Sequence, residues 1–377
     1  MHFKLKEYLH PDFNAPEFAN APEASLLPAV MNGAAPEGYH TTTIFPEYFK
    51  VHETWLLAEK SRMDCVAVLE GTRILVKELR NIKQGDMIFI GCTENGEQGI
   101  YVHANAFLES QNATSKGNGN GNADSFAFRQ GRSRETSFSM DYDTLYEQLR
   151  YEKENGYIVW VVGPACVFDA DSRKAFSRLC ANGYVHAMLA GNALAVHDLE
   201  GSYKNSALGQ DIYTQITYEG GHCHHLDTIN RVRQLGSIPA FIREENITEG
   251  VMYQCVENNI PYVLAGSIRD DGPLPGVFTD AYKAQDAMRE HASRATVVIC
   301  MATTLHAIAT GNMTPSFRVM PDGSVRQVYF YVVDISEFAA NKLRDRGSLS
   351  AKSIITNVQD FVTHCSRNLM PLLPKDA

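Results

Sequence analysis

The residues able to do chemistry gather at the ends of apolar runs. Thr303-Thr304-Leu305-His306 follows ATVVICMA, a run without a charge, so an imidazole and two hydroxyls stand where a buried strand meets solvent. Such a histidine suits proton transfer or contact with a cofactor. Asp334 closes YFYVVD, and an acidic residue at a strand end is the usual partner of ribose hydroxyls. Gly191-Asn192-Ala193 joins a small residue, an amide and a helix start, which suits a ribose or pyrophosphate contact, although a capped helix reads the same way. Ser267-Ile268-Arg269-Asp270-Asp271-Gly272-Pro273 packs opposite charges into a turn. Adjacent carboxylates there can bind an ammonium or act as a base, and a solvated turn would look alike. Gly163-Pro164-Ala165 lets backbone approach a phosphate or simply turns the chain. Lys342 and the run Arg344-Asp345-Arg346-Gly347-Ser348 offer cations to a carboxylate, or else form an ion-paired surface. In Gly221-His222-Cys223-His224-His225, helical spacing sets His222 and His225 on one face, but no HExxH or CxxC pattern supplies further ligands. These histidines are expected to start a helix or face a substrate, and no metal is expected. No strand is followed by GxGxxG, so the standard dinucleotide fingerprint is absent.

These segments need a scaffold. From residue 136 to 377 apolar runs alternate with amphipathic stretches. TLYEQLRYEKENG predicts a helix, YIVWVVGPACVF a buried strand, SRKAFSRLCANG a helix, YVHAMLAG a strand, HHLDTINRVRQLG a helix and PYVLAG a strand. ATVVICMA and VRQVYFYVVDI read as strands apolar on both faces, as central parallel strands are. The alternation predicts an α/β fold, a doubly wound, Rossmann-like parallel sheet, with ligands beyond the carboxyl ends of its strands. Residues 41 to 111 hold short strand-like runs (YFKVHETWLL, DCVAVLE, RILVKEL, DMIFIGC, QGIYVHANAF) separated by turn residues, which predicts a small β-rich domain. Residues 112 to 135, opening with NATSKGNGNGNAD, are expected as a flexible loop, and the proline-punctuated residues 1 to 40 as an extended arm that needs a surface to lie on.

Composition narrows the function. A net charge of -10 without a basic cluster argues against a nucleic-acid or anionic-membrane partner. The sequence shows neither a secretory leader nor a span of about 20 apolar residues. Its eight scattered cysteines, mostly within apolar stretches, read as small buried hydrophobes in a reducing, cytoplasmic setting.

The stretch from Gly163 to Val358 resembles the archaeal-type ornithine cyclodeaminase family, which also forms the C-terminal part of arginine dihydrolase/ornithine cyclodeaminase enzymes and is related to the lysine-oxoglutarate reductase/saccharopine dehydrogenase conserved region. The resemblance rests on GYVHAMLAGNALAVHDLE, SALGQD, GHCHHLDTINRVRQLGSI, VMYQCV, LAGSIRDDGPLP, ATTLHAIATGN and KLRDRGS, with APEGYHTTTIFPEYFKV and RMDC in the N-terminal half. It implies NAD as cofactor, held by Asn192, Ala193, Asp270, Asp271, Thr303, Thr304, Leu305, His306 and Asp334. A family Asp-Val pair falls on Asn357 and Val358 here, and the segment between Met313 and Asp334 is longer than the family's. The guanidine-processing domain has no counterpart, so no arginine dihydrolase activity is expected. The implied reaction turns ornithine into proline and ammonia by hydride transfer out and back, with Asp271 or His306 moving the proton and Arg269 or Lys342 holding the substrate carboxylate. The expected partner is thus a small amino acid, and the expected assembly a homo-oligomer. Another NAD-dependent amino-acid dehydrogenase or imine-forming enzyme, or an NAD-binding protein without catalysis, would use the same scaffold.

Overall fold

The computed structural model describes residues 3–107, 139–270, 272–336 and 349–370; Asp271, Lys342 and the loop expected at 112–135 lie outside these. Two compact units result, one built mainly of Tyr142–Pro315 and Val328–Ala377, the other of Phe3–Asp141 and Ser316–Gln327.

The smaller unit holds a single helical turn, α1 (Pro16–Ala19), and strands β1 (Ser25–Pro28), β2 (Glu47–Val51), β3 (Thr54–Leu57), β4 (Val66–Glu70), β5 (Arg73–Lys77), β6 (Met87–Ile90) and β7 (Ile100–Val102). They form two antiparallel sheets, ordered β1-β6-β4-β5 and β3-β2-β7. Phe49, Ile74, Phe89 and Ile100 make their shared core, with the Phe49 and Phe89 rings 4.3 Å apart. Within the stretch read as an extended arm, Ser25–Pro28 pairs residue for residue with Met87–Ile90, a surface the same unit supplies. YFKVHETWLL is not one strand but a hairpin. It turns at His52 and Glu53, whose φ values of 51° and 61° are left-handed, and both amides donate to the Glu23 carboxylate at 2.6 Å.

The larger unit runs α2 (Ser139–Asn155), β8 (Ile158–Val162), α3 (Ala170–Ala181), β9 (Ala187–Gly191) and α4 (Asn192–Lys204). A hairpin, β10 (Ser206–Ala207) and β11 (Gln210–Asp211), precedes α5 (His222–Leu235), α6 (Ile238–Glu244) and α7 (Val251–Glu257). Then come β12 (Tyr262–Ala265), α8 (Ala281–Ala292), β13 (Val297–Met301) and α9 (Thr304–Met313). Next, β14 (Phe317–Val319) and β15 (Val325–Gln327) form an antiparallel hairpin in the smaller unit, and β16 (Tyr329–Asp334), β17 (Ala351–Ile355) and the helix Val358–Leu369 return to the larger one. Six strands form one parallel sheet ordered β12-β9-β8-β13-β16-β17. Counted in chain order within that sheet this is 3-2-1-4-5-6, the doubly wound order in which the first and fourth strands adjoin.

Two readings of apolar runs change. YIVWVVGPACVF stops being strand at Val162, where Pro164–Val167 forms a 3-10 turn. VRQVYFYVVDI divides at Val328 between β15 and β16, and no turn residue marks the break. The central strands β8 and β13 are buried throughout, because helices cover both sheet faces. On one face Val159, Val161, Val298 and Cys300 cluster with Ala284, Met288 and Ala292 of α8 and Ala307 and Met313 of α9. On the other, Trp160 meets Phe176 of α3 edge-on at 5.4 Å, and its indole N–H donates to the Tyr184 carbonyl at 2.8 Å. No cysteine is in a disulfide, and six of the eight are buried. Among the described residues no helix is long and apolar enough to cross a membrane.

Beneath this sheet lies a buried charge pair. Asp198 of α4 has no exposed side chain, and its Oδ1 accepts from Arg173 Nε at 2.8 Å and from the Val251 amide at 2.9 Å. Its Oδ2 accepts from the Met252 amide at 2.7 Å, so one carboxylate caps α7 and anchors α3. Gly250 belongs to this geometry: its φ is 110°, and a Cβ there would lie 2.3 Å from Arg173 Nη2. Removing one member of a buried, hydrogen-bonded pair strands the other in a dry site. Asp198→Ala is therefore expected to cost about 3–5 kcal/mol in denaturant unfolding. A cost below about 1 kcal/mol, the range of an exposed pair, would contradict this role.

Candidate active site at the sheet switch point

In this strand order the connections from β8 and β13 leave in opposite directions, which opens a crevice at their carboxyl ends. Gly163, directly after β8, donates its amide to the Met301 carbonyl at 2.8 Å. A Cβ at Gly163 would lie 1.9 Å from the Ala302 carbonyl oxygen, so only glycine permits the crossing. Ala302 itself has φ 51°, a left-handed conformation that strains a residue with a side chain. The glycine that the sequence left between turn and phosphate contact is thus required by chain packing.

Thr303 precedes α9 with an extended backbone and no side-chain capping bond, Thr304 and Leu305 are exposed, and His306 sits on the first helical turn. The His306 ring lies over the end of β9, with its Cε1 3.0 Å from where a Cβ of Gly191 would be. Burial pushes the His306 pKa below its ordinary value of 6.5, and the negative charge of Asp270 partly opposes that. Asp270 closes a tight turn, its Oδ2 accepting from the Ser267 amide at 2.8 Å, while the exposed Arg269 donates its amide to Ser267 Oγ at 3.2 Å. Asn192 is buried at the start of α4, beside the half-buried Ala193. Its Oδ1 accepts from the Leu274 amide at 3.0 Å and so ties the end of β9 to the loop after β12. Asn192, Asp270 and His306 therefore come together from the loops after β9, β12 and β13.

Asp334 ends β16 half-buried, with Oδ1 accepting from the Ser336 amide at 3.0 Å. Asn357 and Val358 follow β17, the edge strand, two positions from β13. Asn357 is exposed and caps the last described helix through a 2.8 Å bond from the Gln359 amide to Oδ1, and Val358 is buried.

Sequence reading missed a second polar cluster. His222 is exposed, and the neighbours of His225 are not on its own helix but are His197 and Glu200 of α4. Burial alone would raise the Glu200 pKa, yet the nearby imidazoles of His197 and His225 and the Ser206 hydroxyl lower it to about 2. The only trace of this in the sequence is the His-x-x-Glu spacing inside AVHDLEG, which puts the two on one helical face.

Because Asp270 opposes the burial effect on His306, Asp270→Asn is expected to lower the His306 pKa further, read as the imidazole titration by NMR. An unchanged titration would separate the two residues.

Comparison with known proteins bears on the reading of this crevice. Residues 144–365 match the family described as arginine dihydrolase ArgZ-like, C-terminal, Rossmann fold. An ornithine cyclodeaminase of Methanopyrus kandleri is 36% identical over 358 residues, which cover 92% of this chain and 78% of that protein. The crystal structure of a conserved LOR/SDH protein from Methanococcus maripaludis aligns with a TM-score of 0.80 at 34% identity, over 92% of this chain and 98% of that one. AgrE, a bifunctional arginine dihydrolase/ornithine cyclodeaminase of Nostoc, is also similar. Its ternary complex with ornithine and NAD+ aligns with a TM-score of 0.55 at 31% identity, over 93% of this chain and 46% of AgrE.

Proposed function

The chain belongs to the ArgZ-like family with a C-terminal Rossmann fold, and from that membership we propose that it is an NAD-dependent ornithine cyclodeaminase, converting L-ornithine to L-proline and ammonia. The observation that carries this reading is the convergence of Asn192, Asp270 and His306 at the carboxyl ends of adjacent parallel strands. The AgrE complex supports it, because that relative holds ornithine and NAD+ together.

The crevice fits a dinucleotide. Backbone lies on backbone where Gly163 crosses Ala302, which brings the ends of β8 and β13 close together without a side chain at position 163. Asp334 has one carboxylate oxygen bonded to Ser336, which leaves Oδ2 to accept from a ribose hydroxyl. Asn192, Ala193, Thr303, Thr304 and Leu305 complete the holding set, and Asp271, Asn357 and Val358 extend it by family resemblance. NAD, when bound, supplies a two-electron acceptor that is restored within each turnover, so that oxidation at the α-carbon leaves no net redox change.

The chain's own tasks are orientation and proton handling. His306, whose pKa burial has lowered, is neutral at neutral pH and able to take a proton from the substrate α-ammonium. Asp271 is the alternative acceptor, and Arg269 and Lys342 are the candidates to hold the substrate carboxylate. Attack by the δ-amine on the oxidised α-carbon expels the α-nitrogen as ammonia, and reduction of the cyclic imine gives proline. Atoms balance as ornithine equals proline plus ammonia. Closure against water matters here, because an imine open to solvent hydrolyses.

The deciding assay incubates the full chain with NAD and L-ornithine and follows proline, ammonia and NADH absorbance together. Equal yields of proline and ammonia without net NADH are expected. Net NADH accumulation would make the protein a dehydrogenase, and no turnover of any diamino acid would leave it a binding protein. Separately, Asp334→Ala is expected to weaken NAD binding by roughly ten- to hundredfold, the worth of a charge-assisted hydrogen bond of about 1.5–3 kcal/mol. An unchanged dissociation constant by titration calorimetry would remove Asp334 from the cofactor site.

A further inference from the structure

Helix α4 carries His197 and Glu200 three residues apart on one face, and α5 brings His225 to that face from its first turns. One ligand atom from each residue lies within 4.8 Å of the other two. Two glycines permit this approach. A Cβ at Gly209 would lie 2.7 Å from the Gly221 carbonyl carbon, and one at Gly221 would lie 2.3 Å from the Gly209 oxygen. Backbone therefore touches backbone where the β10–β11 hairpin meets the start of α5.

The Glu200 side chain has no solvent exposure. Its Oε1 accepts from the Ser206 hydroxyl at 2.8 Å and the Gly209 amide at 3.3 Å. Its Oε2 faces His197 Nδ1 at 3.1 Å and His225 Nδ1 at 3.8 Å. The second distance exceeds a hydrogen bond, and His225 Nδ1 is sealed from solvent without a hydrogen-bond partner. A buried ring nitrogen left so is unfavourable in a purely hydrogen-bonded cluster. A cation shared by all three groups would use it.

We propose that His197, Glu200 and His225 bind one divalent transition-metal ion of the zinc class, with the two imidazole Nδ1 atoms and Glu200 Oε2 as ligands. Two neutral imidazoles and one carboxylate are a donor set that zinc takes when a further coordination position stays open. Tetrahedral bonds of about 2.0–2.2 Å set ligand atoms about 3.3–3.6 Å apart, a spacing the 3.1 and 3.8 Å contacts of Glu200 Oε2 already approach, and the widest pair, within 4.8 Å, closes by about an ångström. Ser206 and Gly209 hold the second carboxylate oxygen, the outer support that ligating carboxylates require. The His225 side chain is 37% exposed, which gives an ion a way in. Neither NAD nor ornithine enters this inference, so it stands or falls apart from the proposed reaction.

The test titrates the chelator-treated full chain with Zn2+ by calorimetry and with Co2+ by visible absorption. One ion per chain is expected, with a Co2+ ligand-field band. His225→Ala and Glu200→Gln should each weaken Zn2+ binding by about tenfold or more. His222→Ala and Cys223→Ala, at exposed neighbours, should leave it unchanged. The absence of saturable binding by the wild-type chain overturns the proposal without reference to any variant. Binding that survives His225→Ala but is lost in Cys223→Ala assigns the ion to the surface thiol and overturns it too.

Discussion

A carboxylate removed from water must find its hydrogen bonds inside the protein, and Asp198 finds its partners on two other elements at once. Arg173 reaches it from α3, and the first amides of α7 converge on it from a segment more than fifty residues away. That arrangement fixes how α4 is rotated about its own axis. With Asp198 directed at α3 and α7, the roughly 100° step per residue sends His197 and Glu200 toward α5. The same helix begins at Asn192, whose amide oxygen is bound to the loop after β12. One buried charge therefore sets the register of both polar centres in the larger unit. It does so with little tolerance, because Gly250 leaves no room for a methyl group between Arg173, Ser202 and Asp198.

The crevice depends on a second constraint of the same kind, backbone held against backbone. At Gly163 and Ala302 the connections leaving two neighbouring strands cross closely enough to exclude a Cβ. Ala302 adopts a left-handed conformation at that point, and such strain persists only where the surroundings impose it. Here the imposing elements are β8, β13 and β16, whose hydrogen bonds hold Gly163 and Ala302 from either side.

What the sequence made legible follows from where the determining interactions are local. Ile158–Val162 and Val297–Met301 contain no charged side chain, so burial on both faces and a parallel sheet could be read directly. Strand-end logic likewise drew attention to Asn192, His306 and Asp334. The hairpin at His52 and Glu53 was not legible, because its left-handed turn is held by Glu23, far earlier in the chain, rather than by a glycine or asparagine at the turn. The division of VRQVYFYVVDI at Val328 was hidden for a related reason: β15 and β16 follow each other with no turn residue between them, and only their membership of different units separates them. His225 was paired with His222 on helical spacing alone, and its neighbours on α4 lie beyond the reach of any local pattern.

The hairpin Phe317–Gln327 gives the smaller unit an unusual dependence on synthesis order. Phe317 and Val325 pack with Tyr8 and Tyr48 in one cluster, and Ser316 hydrogen-bonds to Ser61 across 255 positions of sequence. A ribosome has thus made four of the six strands of the parallel sheet before the smaller unit can complete that core. Until then, an aromatic surface around Tyr48, Trp55 and Tyr101 stays partly uncovered on the nascent chain. Folding in strict chain order is thus closed to the smaller unit, whose core is complete only once Gln327 has been made.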